Sequence, residues 1–305
     1  MRSILSKSKL VIPAGGRPPA AVEVTPEGVL AAALPTGGQA PDFAFAPLPT
    51  GALVPGIAEA NLHAPEAVAA AIRTALGQVS PRTRAVTLVL PDTTVRVFVL
   101  DFDSLPGKAA EAISVLRFRL RKMVPFDVEH AGVSYQVLSQ TKDECRVLTA
   151  VTPGPVLAEY EAAVRAAGYE PGAVLPSSMA ALETIDATEA VLTAHLSTNA
   201  LSTTITAGED LLLYRTLDLP ADEQTRLADV QRGIAVAAAY YEDKLHAPAL
   251  RLHYAGIGDA AWFARWTEET GLAVVDLMAL TGSEPATPQG YMNLAAISGA
   301  LAGAR

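Results

Sequence analysis

Few residues in this chain are spaced for catalysis. Gly256-Ile257-Gly258 comes nearest, since glycines between a strand-like and a helix-like run let backbone amides approach a phosphate or an adenine. A tight turn without ligand is the simpler account of the same residues. Asp101 and Asp103 have the spacing of a magnesium or acid/base pair, although a solvated loop edge explains them more simply. A P-loop is missing: Phe102 stands where the first glycine before Gly107-Lys108 should be, and no Ser or Thr follows the lysine. No Gly-x-Ser-x-Gly elbow occurs. The histidines His63, His130, His195, His246 and His253 never fall at the i, i+4 spacing of a zinc pair. Cys145 is the single cysteine, which excludes an internal disulfide and a CxxC pair and predicts a small buried hydrophobe.

The rest of the chain is built to fold. Its 305 residues are 50% hydrophobic and 18% charged, enough for two domains and a sizeable core. A net charge of −9 argues against nucleic acid as a partner, because phosphate binding needs a basic face. A membrane-spanning helix takes about 20 consecutive apolar residues. The runs at residues 234–241 and 294–304 are too short or too broken for that. Near the start, Arg2, Lys7 and Lys9 precede an apolar stretch of only residues 10–14, too short for a signal peptide. The cytosol is therefore the expected compartment.

Periodicity divides the chain into two successive blocks of short strands followed by helices, the pattern of a two-lobed α/β protein. In the first block, residues 20–24 and 29–34 are strand-like around a Pro26-Glu27-Gly28 turn. Helical periodicity follows over 64–76, and buried-strand patterns over 86–90 and 95–100. A helix is expected over 108–123, with Ile113, Leu116, Leu120 and Met123 as its apolar stripe. Pro125 ends it, since the residue before a proline is pushed out of the α region. Strands over 133–138 and 146–151 and a helix over 155–167 complete this block. In the second block, strands at 191–196, 202–206 and 211–217 precede a long helix over 222–245. Strands at 250–254 and 273–277 flank a helix over 260–270. Residues 281–290 form a polar linker before a terminal helix of small residues.

Several segments resemble the PilM family, the cytoplasmic actin-like components of type IV pilus assembly. More distantly they resemble the cytoplasmic part of the type II secretion platform protein. The resemblance is most specific over 116–138, where Met123-Val124-Pro125-Phe126 matches the family's Pro-Phe turn and Tyr135-Gln136-Val137-Leu138 its Tyr-x-Val-Leu strand. Pro49-Thr50-Gly51-Ala52-Leu53-Val54 and the block 146–176 add to it. The resemblance implies a two-lobed actin-like (ribonuclease H-like) fold. Residues 1–185 would form the first lobe with an inserted subdomain at about 92–140, and 186–292 the second. Residues 293–305 would form a helix packing back on the first lobe.

The family's nucleotide motifs are degenerate in this chain. An opening turn of the type Asp-Ile-Gly-Ser-Ser-Ser-Val-Lys falls on residues 14–23, where the aspartate, serines and lysine are absent and two prolines remove donors. The second motif, of the type Asp-Ile-Gly-x-x-Ser-Thr, falls on 195–204, with His195 in place of the aspartate. An actin-type ATPase needs both acidic groups to hold its metal and orient water, so no catalysis is expected. Gly15, Gly16, Thr203, Gly256 and Gly258 leave room for a residual ATP/magnesium site. The resemblance implies a cytoplasmic adaptor, peripheral to the inner membrane, that docks an N-terminal peptide of a PilN-like membrane protein and contacts pilus motor or platform components. Val115, Phe118 and Lys122 lie opposite the apolar stripe, giving either a face that packs on the neighbouring subdomain or a candidate docking face with Arg117, Arg119 and Arg121 at its rim. The rival readings are an actin-fold ATPase or sugar kinase and a chain that self-assembles into filaments or rings.

Overall fold

The computed structural model describes residues 16–35, 40–58, 60–185, 187–208, 210–281, 294–302 and 304. In the first lobe, strands β1 (Ala20–Val24), β2 (Gly28–Ala33) and β3 (Asp42–Pro47) form an antiparallel meander. Helix α1 (Pro65–Val79) then crosses to β4 (Ala85–Leu90), parallel to β1. Pro65 opens α1 at a position where its missing N–H costs nothing, and Ser80 closes it in the left-handed conformation. Every residue of β1 and β2 is buried, which explains their unbroken apolar sequence. Ala20, Val22 and Val24 face α1, whereas Ala21, Leu30 and Ala32 face a second core on the other side of the sheet.

Between β4 and the end of this sheet lies a small layer of its own. Strands β5 (Arg96–Phe102), β6 (Gly132–Gln140) and β7 (Cys145–Thr152) pair antiparallel in the order β5-β7-β6, and α2 (Ala109–Leu120) covers one face. Leu116 and Leu120 are fully buried there against Leu100, Val147 and Val151. The layer extends to Thr152, beyond the 92–140 expected for the insert, because β7 is its central strand and cannot be left out. Regular α-helix stops at Leu120, three residues before the expected end, and Met123 and Val124 donate back to the Leu120 carbonyl. Cys145 is buried in this core, and burial raises its thiol pKa.

The chain returns through α3 (Gly154–Ala166) to β8 (Glu170–Pro176), parallel to β4, and then α4 (Ser177–Leu182). The first sheet thus runs β3-β2-β1-β4-β8. Its edge strands β3 and β8 carry prolines, as edge positions tolerate, and neither shows a clear period in the sequence.

The second lobe repeats the plan. Strands β9 (Ala190–Leu196), β10 (Ala200–Ala207) and β11 (Asp210–Asp218) form a meander followed by α5 (Glu223–Leu245). Strand β12 (Arg251–Gly256), α6 (Ala260–Trp266) and β13 (Ala273–Asp276) complete a sheet ordered β11-β10-β9-β12-β13. Asp222 caps α5 by accepting from the Thr225 amide at 2.9 Å. Val230, Ile234 and Ala237 bury the inner face of α5. Helix α7 (Ala295–Ala302) then packs on α4 and on β1, β2 and β4 of the first lobe, so the second core of that lobe is closed by a distant part of the chain. Among the described residues, no helix is long and apolar enough to cross a membrane.

Candidate functional site

Among the described residues, two hollows stand out. One is a cleft of about 680 Å³ between the lobes, where the β1–β2, β9–β10 and β12–α6 turns face one another. The other is an apolar groove of about 240 Å³ between the small layer and the first sheet.

The turns of the cleft are closed on themselves. The β1–β2 hairpin turns at Pro26-Glu27, with Thr25 and Gly28 exchanging both backbone hydrogen bonds at 2.9 and 3.2 Å. The turn lies at the expected Pro26-Glu27-Gly28 position, and the 14–23 span aligned with the opening phosphate motif instead runs into strand β1 at 20–24. Gly15 lies outside the described residues. Gly16 is exposed and does not line the cleft. Thr203 shares a strand face with Leu201 and Ile205, which pack in the second-lobe core, so alternation carries it away from the cleft. Gly256 and Gly258 do line it. At Gly256, with φ +119°, an added Cβ would sit 1.9 Å from the Leu196 carbonyl oxygen; at Gly258, with φ +73°, it would meet the Trp262 ring at 2.8 Å. Close packing of this turn against β9 and α6 accounts for both glycines without a ligand.

On the cleft floor lies a buried polar chain. Ser177, first in α4, donates to Glu23 at 2.5 Å and faces His195 Nε2 at 3.1 Å. His195 Nδ1 is 3.4 Å from Asp92 Oδ2. Asp92 also accepts from the Ser178 amide (3.0 Å), the Ser178 hydroxyl (2.9 Å) and Ser202 (2.7 Å). Burial works against ionisation of Asp92, but His195 and these donors outweigh it and hold the carboxyl below its usual range. Burial also opposes a charged His195, and Asp92 with Glu23 outweighs it, so the imidazole pKa lies above its usual value. For Glu23 burial prevails over Ser177 and His195, and its pKa is raised.

The order Ser177, His195, Asp92 has the outline of a hydrolase triad, yet the geometry opposes that chemistry. The Ser177 proton points to Glu23 instead of His195, and the Ser178 amide, which would serve an oxyanion, is taken by Asp92. Nor do these residues fit a magnesium nucleotide. Phosphate needs open backbone amides and cations. Here Pro26 has no amide, the amides of Thr25, Gly28, Ser197 and Ile257 bond neighbouring carbonyls, and Thr198 donates across the cleft to Glu27. Glu23, Glu27 and Asp259 line the cleft, with Arg265 as the one arginine among its described lining residues.

The groove is different in character. Its walls include Val95, Val97, Leu148 and Ala150 from the face of the small layer turned away from α2. The edge strands β6 and β8 run along it through 132–136 and 174–176. Buried Arg17 also lines it and is held by Glu183 at 2.8 Å. The six residues expected at a docking face, four on α2 and Arg121 and Lys122 just past its end, lie on the opposite side of the layer, and none lines the groove. Phe118 is 69% exposed, Val115 is half-buried, and Arg119 and Lys122 are exposed. Arg121 pairs with Glu129. Arg117 clamps the loop after α2, donating to the carbonyls of Val128, of Glu129 at 2.6 Å and of Ala131 at 3.0 Å. Asp92, Ser177 and Glu23 had no sequence period to mark them. A repeated pattern is present, since Leu90-Pro91-Asp92 and Leu175-Pro176-Ser177 both end a parallel strand in proline and a polar residue.

No protein-family model and no curated protein sequence matches this chain. Solved structures do. A structure described as the PilM-PilN type IV pilus biogenesis complex is similar over 94% of this chain and 98% of that one, with TM-score 0.70 and 18% identity. A protein of actin-like ATPase fold and unknown function from Bacteroides thetaiotaomicron is similar over 87% and 95%, with TM-score 0.52 and 11% identity. The duplicated sheets, the inserted layer and these likenesses agree, and the chain has a PilM-like, actin-type fold.

Proposed function

We propose that this chain is a non-catalytic adaptor of type IV pilus assembly or of a related secretion apparatus. It works at the cytoplasmic face of the inner membrane and reaches the membrane only through its partners. Its groove between the small layer and the first sheet takes a short cytoplasmic peptide of a PilN-like membrane protein. The observation that carries this reading is the groove itself. It is apolar and bounded by the two edge strands β6 and β8, whose outer backbone groups can pair with an extended peptide. The likeness to a chain solved with PilN supports the partner class. The acidic, self-bonded cleft supports an adaptor over an ATPase or sugar kinase.

The exposed Phe118 favours a second docking face on α2, with Arg119, Arg121 and Lys122 around it. Fluorescence anisotropy with a labelled N-terminal peptide of the PilN-like protein separates the two. Ala150→Asp, inside the groove, and Ser134→Arg, exposed at its lip, abolish binding if the groove is the site, and Phe118→Glu leaves it intact. Loss of binding in Phe118→Glu alone moves the site to α2. Full binding by all three variants refutes both.

A further inference from the structure

The polar chain on the cleft floor runs from lobe to lobe. Glu23 on β1, Asp92 after β4, and Ser177 and Ser178 on α4 belong to the first lobe; His195 on β9, Ser202 on β10 and Tyr214 on β11 belong to the second. Its links join positions far apart in sequence. Ser202 reaches Asp92 at 2.7 Å, Tyr214 shares a hydrogen bond with Ser178 at 2.6 Å, and Ser177 faces His195 at 3.1 Å. Every one of these side chains is at least nine-tenths buried. At the cleft mouth Thr198 of the second lobe donates to Glu27 of the first.

We propose that Glu23, Ser177, His195 and Asp92 form an interlobe clasp that holds the two lobes closed without a bound nucleotide, with His195 as its cation. The groups around the ring favour that charge. Ser177, donating to Glu23, offers His195 Nε2 a lone pair, and Nδ1 lies 3.4 Å from the Asp92 carboxylate, an ion-pair contact. Both ring nitrogens thus face acceptors, the surroundings that suit an imidazolium. The clasp occupies the floor that a metal-bound phosphate would need, and it supplies the cross-lobe contacts that such a ligand would otherwise make. The clasp does not depend on the identity of the partner.

The groups facing His195 are Asp92, Glu23, Ser177 and Ser202, with Tyr214 beyond Asp92 and apolar Ala255 beside it on β12. A histidine whose folded pKa exceeds its unfolded value of 6.5 contributes stability fully below that pH and loses it as pH rises through the folded value. Glu23, also raised, acts in the same direction from its unfolded value of 4.5, while lowered Asp92 acts oppositely, losing its contribution as pH falls below 3.8. The clasp is therefore strongest in mildly acidic solution.

Thermal unfolding of the full chain from pH 5 to 9 tests this. His195→Gln is expected to lower the Tm by roughly 5–10 °C at pH 6, leaving two buried carboxylates unpaired, and to flatten the alkaline decline. Wild-type Tm and wild-type pH dependence in that variant would overturn the clasp. If His195→Gln does not fold, Ser177→Ala replaces it, since that change keeps the His195–Asp92 ion pair and removes only the link to Glu23. Amide exchange of β1, α4 and β9 should then rise about tenfold, the loss of a hydrogen bond to a charged group. Unchanged exchange there would overturn the clasp equally. Titration of the wild-type chain with magnesium ATP is expected to give no saturable Tm shift, and a saturable shift would show the cleft open to ligand and refute the substitution.

Discussion

Replacing Gly299 with alanine in α7 sets two physical effects against each other. In an isolated helix the change is favourable by about 0.5–1 kcal/mol, because glycine loses more backbone entropy on folding. In this protein α7 crosses α4 so closely that the new Cβ would lie 1.8 Å from the Ala180 carbonyl oxygen, 2.8 Å from its carbon and 3.3 Å from Glu183 Cβ. The obstacle is backbone, so no rotamer relieves it, and the helices must part by more than 1 Å. A gap of that size forfeits up to about half the dispersion energy of the lining atoms. Those atoms belong to Ile297, Ala300, Leu301, Met179 and Ala180 in the shared core. Overpacking of a closed contact costs about 1–3 kcal/mol. A backbone collision belongs at the top of that range, so the net loss after the helix gain is about 2 kcal/mol. Urea unfolding should show it as a lower midpoint with an unchanged slope, and thermal unfolding as a fall of about 4 °C. Gly77→Ala in α1 is the control: it sits inside a helix with nothing within 4 Å of the new Cβ, and should be stabilising. A neutral or stabilising Gly299→Ala would refute the close docking of α7 on the first lobe.

Leu116→Ala should cost about 2–5 kcal/mol by opening a cavity between α2 and the small sheet, because the residue is fully buried between them. Amide exchange should place the loss in β5, β6 and β7 before either lobe. Arg117→Leu should destabilise the 124–131 loop by about 1–3 kcal/mol, since carbonyls of Val128, Glu129 and Ala131 lose a shared donor. Its readout is faster exchange in that loop, and an unaltered loop would contradict the clamp.

Local patterning in the sequence was enough to order most elements. The apolar runs of β1, β4, β9 and β12, the stripe of α2 and the long α5 are visible because burial imposes a period on neighbouring residues. The end of α2 and the Met123–Phe126 turn after it carried the PilM resemblance, and the fold agrees with it. Edge strands β3 and β8 were not legible, since partial burial leaves no clean period and proline obscures it. The β1–β2 turn lies where Pro26-Glu27-Gly28 marked it, whereas the 14–23 span aligned with the phosphate motif falls partly on β1, because strand pairing and not motif spacing fixes which residues form the turn. Nothing local could join Glu23, Asp92, Ser177 and His195, since the first three meet only when the first lobe folds and His195 only when the second lobe closes on it. Likewise, helical period placed Phe118 opposite Leu116, but only packing decided that the groove would open on the other face of the small sheet. Sequence set which residues avoid water; tertiary structure decided which of them avoid it together.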